Sequence, residues 1–166
     1  LEHAELASQM KNYDDALKNI NKAIKIDKFN PYFYFERGRL NKYLGLLYDS
    51  ISDLKIAIEL DSDNSLKSKH YLFGSIADRY LQLNQKEKAL ENYLKEIEVS
   101  KDYSTPYLDL AEFYKSDGDN ENAETNYNKA IRLDSLNQEL YLKRSVFYYN
   151  NLNNLDRAIK DISKAI

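Results

Sequence analysis

Small residues returning at a near-constant stride constrain this chain more than anything else in it. Ala16, Ser50, Ala89, Ala123 and Ala158 hold one equivalent position in five related lines, among them "ALKNINKAIKID" at 16–27 and "AETNYNKAIRLD" at 123–134. Four residues on come Ile20, Leu54, Tyr93, Tyr127 and Ile162. Seven on come Ala23, Ala57, Glu96, Ala130 and Ala165, at steps of 34, 39, 34 and 35 residues. Offsets of four and seven fall on one face of an α-helix, so each line reads as a helix with a small-residue seam.

A second seam precedes each of these. Its small position holds Ala4, Gly38, Ala77, Ala111 and Ser145, followed three residues later by Ala7, Asn41, Tyr80, Tyr114 and Tyr148. Tyr34, Phe73, Tyr107 and Tyr141 stand four residues ahead of the last four small positions. Small against small lets two helix backbones approach closely, and the rings fill the space above and below. Asn30-Pro31 and Thr105-Pro106 read as a cap followed by proline in the first turn. Leu44-Gly45 and Asp117-Gly118-Asp119 read as breaks inside helix pairs. Only 4 glycines and 2 prolines occur, so little else interrupts helix. The pattern predicts ten helices. First helices lie near 1–10, 31–44, 66–83, 106–116 and 138–150; second helices lie near 13–27, 48–61, 86–100, 120–134 and 155–166.

Paired helices, seams in register and a period near 34 resemble the tetratricopeptide repeat (TPR). Tyr107, Leu110-Ala111, Tyr114, Ala123, Tyr127 and Ala130 follow the family pattern best. The chain departs from it in three ways. Lys28, Ser62, Lys101 and Ser135 stand in place of the family proline; only Gly38 keeps the family glycine; Arg37 and Arg144 replace its leucine. The resemblance implies an all-α fold, a right-handed α-solenoid of antiparallel helix pairs forming one array over 1–166. The repeats would run 1–30, 31–64, 65–103, 104–137 and 138–166, with the first and last incomplete and the ends uncapped.

The resemblance also implies a working surface, since the first helices of TPR arrays line a concave groove that takes an extended peptide or a helix. Residues carried over to that groove are Tyr32, Phe35, Arg39, Lys42 and Tyr43 from the second repeat, and Tyr71, Asp78 and Leu81 from the third. The fourth supplies Leu108, Glu112 and Lys115, and the fifth Leu142, Val146 and Tyr149. The clamp that holds acidic chaperone carboxyl tails is not reproduced. Its positions hold Phe35, Arg39, Ser75, Thr105 and Asp109 in one register, and Leu1, Glu5, Glu36, Tyr71 and Ser75 in the other. Tyrosine and arginine are favoured at binding hot spots. Beside the mixed-charge row Glu5, Arg39, Asp78 and Glu112, the aromatics predict a peptide or helix with apolar anchors and at least one basic residue.

Three irregularities interrupt the repeat. The 39-residue step inserts residues between Asp61 and Tyr71, where Leu66, His70, Phe73 and Ala77 share a helical face and predict an extended helix. Glu96 replaces a seam alanine; its stem is expected to bend outward to water or, failing that, to take a hydrogen bond from Tyr103 or Tyr107. The turn "NNLNN" at 150–154 carries one extra residue and reads as a flexible connection.

The search for chemistry returns little. His3 and His70 lack metal-ligand spacing, and no phosphate loop, nucleophile elbow or Cys/His set is present. Neither catalysis, a metal nor a cofactor is expected. A net charge of −3 opposes phosphate contact and so nucleic acid. No apolar run reaches the length of a membrane span. Cys 0 leaves the compartment open, with the cytoplasm favoured. The leading expectation is a non-enzymatic scaffold for a protein or peptide partner. Its rivals are a regulatory or targeting segment of a larger enzyme or sensor, and self-association through uncapped ends.

Overall fold

The computed structural model describes residues 2–62 and 69–166, with side chains over 12–62 and 71–166. Nine helices are present among the described residues. They are α1 (Glu2–Ile26), α2 (Pro31–Tyr43), α3 (Leu47–Leu60), α4 (Lys69–Gln82), α5 (Lys86–Val99), α6 (Thr105–Asp117), α7 (Asn120–Leu133), α8 (Gln138–Asn150) and α9 (Leu155–Ile162). The chain divides into two compact units, Leu1–Ala89 and Leu90–Ile166. In the first, α2 packs on α3, α3 on α4 and α1 on α2; in the second, α6 packs on α7, α7 on α8 and α8 on α9. The fold is all-α, made of consecutive helix pairs as in a TPR solenoid.

The seams lie where the stride placed them. Ser50, Ala57, Ala77, Ala89, Ala111, Ala123, Ala130 and Ala158 are all buried. Gly38 shows why size matters there. A Cβ on it would stand 3.2 Å from both the Leu54 side chain and the Ser50 carbonyl. Ser50 Oγ uses the close approach to donate to the Gly38 carbonyl at 2.6 Å. In the second unit, Ala111 and Ala123 meet in a cluster with Tyr127, Phe147, Tyr148 and Ala158.

The turn inside each pair has one recurring device. Gly45 (φ 74°), Asn84 (φ 55°), Gly118 (φ 82°) and Asn153 (φ 48°) each stand five residues ahead of a second-helix seam residue. Glycine enters this left-handed region freely, and asparagine does so at lower cost than other side chains. Lys11 occupies the equivalent place in the first repeat. Accordingly, the two helices predicted near 1–10 and 13–27 are one continuous helix, α1, and the expected count of ten falls to nine among the described residues. With neither glycine nor asparagine at the turn position, the helix runs on.

Three smaller expectations are corrected. The residue ahead of α6 is Ser104, in helical backbone and without a capping side chain, so Thr105 is already helical. The "NNLNN" turn is not a loose connection. Asn154 N–H donates to the Tyr148 carbonyl at 2.8 Å, and Asn154 Oδ1 accepts from Arg157 N–H at 3.1 Å, capping α9. Glu96 does not bend outward; it is 2% exposed, on the buried side of α5. The predicted extension through Leu66 and the side chains of Glu5, His3 and His70 lie outside the described residues.

Tyrosine hydroxyls hold three of the four positions where the family proline is missing. Tyr34, Tyr107 and Tyr141 donate through their hydroxyls to the carbonyls of Lys28, Lys101 and Ser135, six residues back, at 3.0, 3.2 and 3.1 Å. The residues standing where proline is usual are thereby pinned by side-chain hydrogen bonds. Phe73 has no hydroxyl to do the same.

Candidate functional site

Two charged clamps and one aromatic face organise the polar chemistry. Arg37, in a leucine position of the repeat, donates through Nε and Nη2 to Asp53 at 2.9 and 2.6 Å, and through Nη1 to Asn21 at 2.8 Å. Asp53 also accepts from Asn41 at 2.9 Å. Arg144 repeats the arrangement, with two 2.8 Å bonds to Asp161 and a third bond to Asn128. Each guanidinium also lies over a tyrosine ring, Arg37 at 5.4 Å from Tyr34 and Arg144 at 6.0 Å from Tyr141. The hydrogen bonds to Asp53 raise the Arg37 pKa. For Arg144 burial opposes the charge, but Asp161 more than offsets it and the pKa is again raised. Each clamp ties three helices together (α1, α2 and α3, or α7, α8 and α9). Sequence reasoning noticed both arginines but not their partners. The signal was present, an asparagine and an aspartate about 16 residues to either side of each arginine.

In the first unit, the residues expected to line the groove lie on α2 and α4, and those of α2 sit close to one another. Tyr32 and Phe35 rings lie 6.4 Å apart, and the Arg39 guanidinium sits 5.8 Å from the Phe35 ring. Tyr43 stacks on Tyr13 with centroids 5.6 Å apart and planes 1° from parallel. Tyr32, Tyr43 and Tyr71 are 54%, 61% and 57% exposed. Lys42 and Asp78 are exposed, and Leu81 is half-buried. Arg39 pairs with Glu36 at 3.0 Å. The Glu36 charge is the main reason the Arg39 pKa is raised, with the hydrogen bond to Glu36 next.

The second unit differs. Glu112 is bound internally, accepting from the Tyr127 hydroxyl at 2.6 Å and pairing with Lys115. Leu108 packs against the core. Lys115 and Leu142 line one cavity of about 380 Å³ with Glu139, Lys143 and Val146. Tyr149 lines another of about 300 Å³ with Val146, Leu155, Ile159 and Ile162, an almost wholly apolar trough between α8 and α9. Among the described residues no cluster of His, Asp and Glu could hold a metal, and no helix is long and apolar enough to cross a membrane.

Comparisons with known proteins agree with this fold. The family model described as "Tetratricopeptide repeat" matches residues 1–30 and 105–135. No curated protein sequence matches the chain. Among solved structures, MamA is 22% identical with a TM-score of 0.73, over 95% of this chain and 89% of that one. BtubC from P. vanneervenii is 15% identical with a TM-score of 0.78, over 98% and 75%. YrrB, described as "a TPR protein with an unusual peptide-binding site", is 17% identical with a TM-score of 0.66, over 100% and 82%. At these identities the likeness is one of fold.

Proposed function

From the premise that this chain is a tetratricopeptide repeat protein, we propose that it is a protein–protein interaction scaffold whose first-helix face receives a peptide or helix of a partner. The observation that carries this reading is the aromatic face of the first unit, with Tyr32, Tyr43 and Tyr71 each more than half exposed beside Phe35 and Arg39. Exposed rings of this kind offer contact area at little entropic cost and favour desolvated anchoring. The charges beside them are largely matched within the chain, Arg39 by Glu36 and, in the second unit, Glu112 by Lys115. Apolar anchoring therefore dominates recognition. YrrB lends the reading support, since its description assigns it a peptide-binding site. The test is affinity capture with the wild-type chain, followed by calorimetric titration of captured partners against Phe35→Ala plus Tyr71→Ala. A drop in affinity of at least tenfold is expected; unchanged affinity excludes the face.

A second reading, association of two copies through the α8–α9 face, is favoured by the trough between those helices. Leu155, Ile159 and Ile162 form an exposed apolar stripe there at helical spacing. Light-scattering mass should rise with concentration for the wild type and stay at one copy for Ile159→Glu. A mass independent of concentration in both would end this reading.

A further inference from the structure

The two charged clamps are built alike but finished differently. Arg37 with Asp53 and Asn21, and Arg144 with Asp161 and Asn128, hold matching places in the repeat. Each clamp lines a cavity. The one at Arg37, about 300 Å³, is also lined by Asp49 and Ser52; the one at Arg144, about 180 Å³, by Tyr148, Arg157 and Lys160. Counted from the seam residues Ser50 and Ala158, Asp49 answers to Arg157 and Ser52 to Lys160. The charge at the rim is therefore reversed around the same floor. The clamp itself does not require those cations, since Arg37 and Asp53 close without them. Arg157 gives one N–H to Glu124, at 2.8 Å, and its side chain is 54% exposed. Its guanidinium lies 5.4 Å from the Tyr148 ring, and that of Arg144 lies 5.5 Å from the same ring. The Tyr148 hydroxyl donates to the same Glu124 oxygen at 3.0 Å, so that carboxylate is shared. Asp161 is committed to Arg144 by two hydrogen bonds. Lys160 is exposed and makes no ion pair among the described residues. Beyond the clamp, two cations line the cavity, and the one carboxylate paired with them is divided between Arg157 and Tyr148.

We propose that the cavity at Arg144 binds a phosphate group, either inorganic phosphate or the phosphoryl of a modified side chain on a partner. The remaining Arg157 N–H groups and the Lys160 ammonium supply charge-assisted donors, and the guanidinium fork matches a pair of phosphate oxygens. A dianion with three acceptor oxygens engages both cations at once, where a carboxylate brings two oxygens and one charge. The volume admits a small oxyanion and falls below that of pockets for larger organic ligands. The site makes no use of the aromatic face of the first unit, so the two proposals stand or fall separately.

Inorganic phosphate and the peptide acetyl-Ala-phosphoserine-Ala-amide are titrated into the full chain at fixed ionic strength, with sodium chloride and sodium acetate as controls, and the arginine Nε resonances are followed by NMR. Phosphate is expected to move the Arg157 resonance saturably and to leave the Arg37 resonance in place, because Asp49 lines that second cavity. Lys160→Ser and Arg157→Gln, both at exposed positions, are each expected to weaken binding about three- to tenfold. Tighter binding of the peptide than of phosphate identifies the phosphoryl of a partner as the ligand; tighter binding of phosphate identifies the free ion. The proposal is overturned if neither probe gives a saturable shift, if acetate or chloride moves the Arg157 resonance as far as phosphate does, if the Arg37 resonance responds equally, or if both variants bind phosphate as the wild type does.

Discussion

Replacing Arg37 with leucine separates two accounts of the charged clamp, because the repeat supplies its own control. At the two clamp positions the third and fourth repeats carry Ile76 with Asn92 and Leu110 with Asn126. Asp53 accepts three hydrogen bonds, two from Arg37 and one from Asn41. Arg37→Leu leaves that carboxylate, 5% exposed, with one amide donor. Charge-assisted hydrogen bonds contribute about 1.5–3 kcal/mol each, and removing one partner of a buried pair costs about 3–5 kcal/mol. Arg37 keeps 24% of its side chain in water, so screening trims the pair. Arg37→Leu should therefore cost about 2–4 kcal/mol and Asp53→Asn about 2–3 kcal/mol. The double substitution recreates the Leu110/Asn126 pairing and should cost under about 1 kcal/mol, a coupling of at least about 3 kcal/mol. Urea unfolding of the four proteins, followed by far-ultraviolet circular dichroism, measures the cycle. Single costs that simply add in the double mutant would refute the reasoning.

Two further outcomes follow from local geometry. Gly118→Asn should cost about 0.5 kcal/mol or less, since Asn84 and Asn153 already adopt the same backbone, whereas Gly118→Val should cost about 1–2 kcal/mol. Urea midpoints measure both, and equal costs would show that φ is not what the position selects. Tyr127 is buried with its hydroxyl on Glu112, and burial first, then that bond, lift its pKa above the ordinary tyrosine range. The unfolded chain then releases this proton first, so stability should hold up to about pH 10 and fall above it. Tyr127→Phe should flatten part of that alkaline decline in urea midpoints taken from pH 8 to 11; identical slopes would exclude the effect.

What could be read from the sequence was volume and spacing. Ala111, Ala123 and Ala130 announce close packing because no other use of a recurring small residue fits that stride. The turn device was half legible. Gly45 and Gly118 stand out, but Asn84 and Asn153 serve the same backbone and look like ordinary polar residues, so Lys11 carries no visible sign that the turn is missing and the spacing alone suggests two helices where there is one. Charged residues were the hardest to place. Glu96 read singly suggests an outward stem, and Arg37 read singly suggests a lapse from the family pattern, whereas its meaning depends on Asp53. Within the candidate site, family resemblance puts Tyr32, Tyr43 and Tyr71 in a concave groove, and all three rings are exposed. Arg79, which is 4% exposed, went unremarked between Asp78 and Tyr80, because sequence shows that a residue is charged but not that its charge is buried.

The bonds that close each helix pair join residues close along the chain. Ser50 reaches back 12 residues to Gly38, Tyr127 15 to Glu112, and Asp53 16 to Arg37. A chain held by such short-range links needs little search to find its partners, and topology of this kind favours rapid acquisition of structure. Any of the hairpins can serve as a starting point, so a growing polypeptide need not wait for its far end before its first turns are secure.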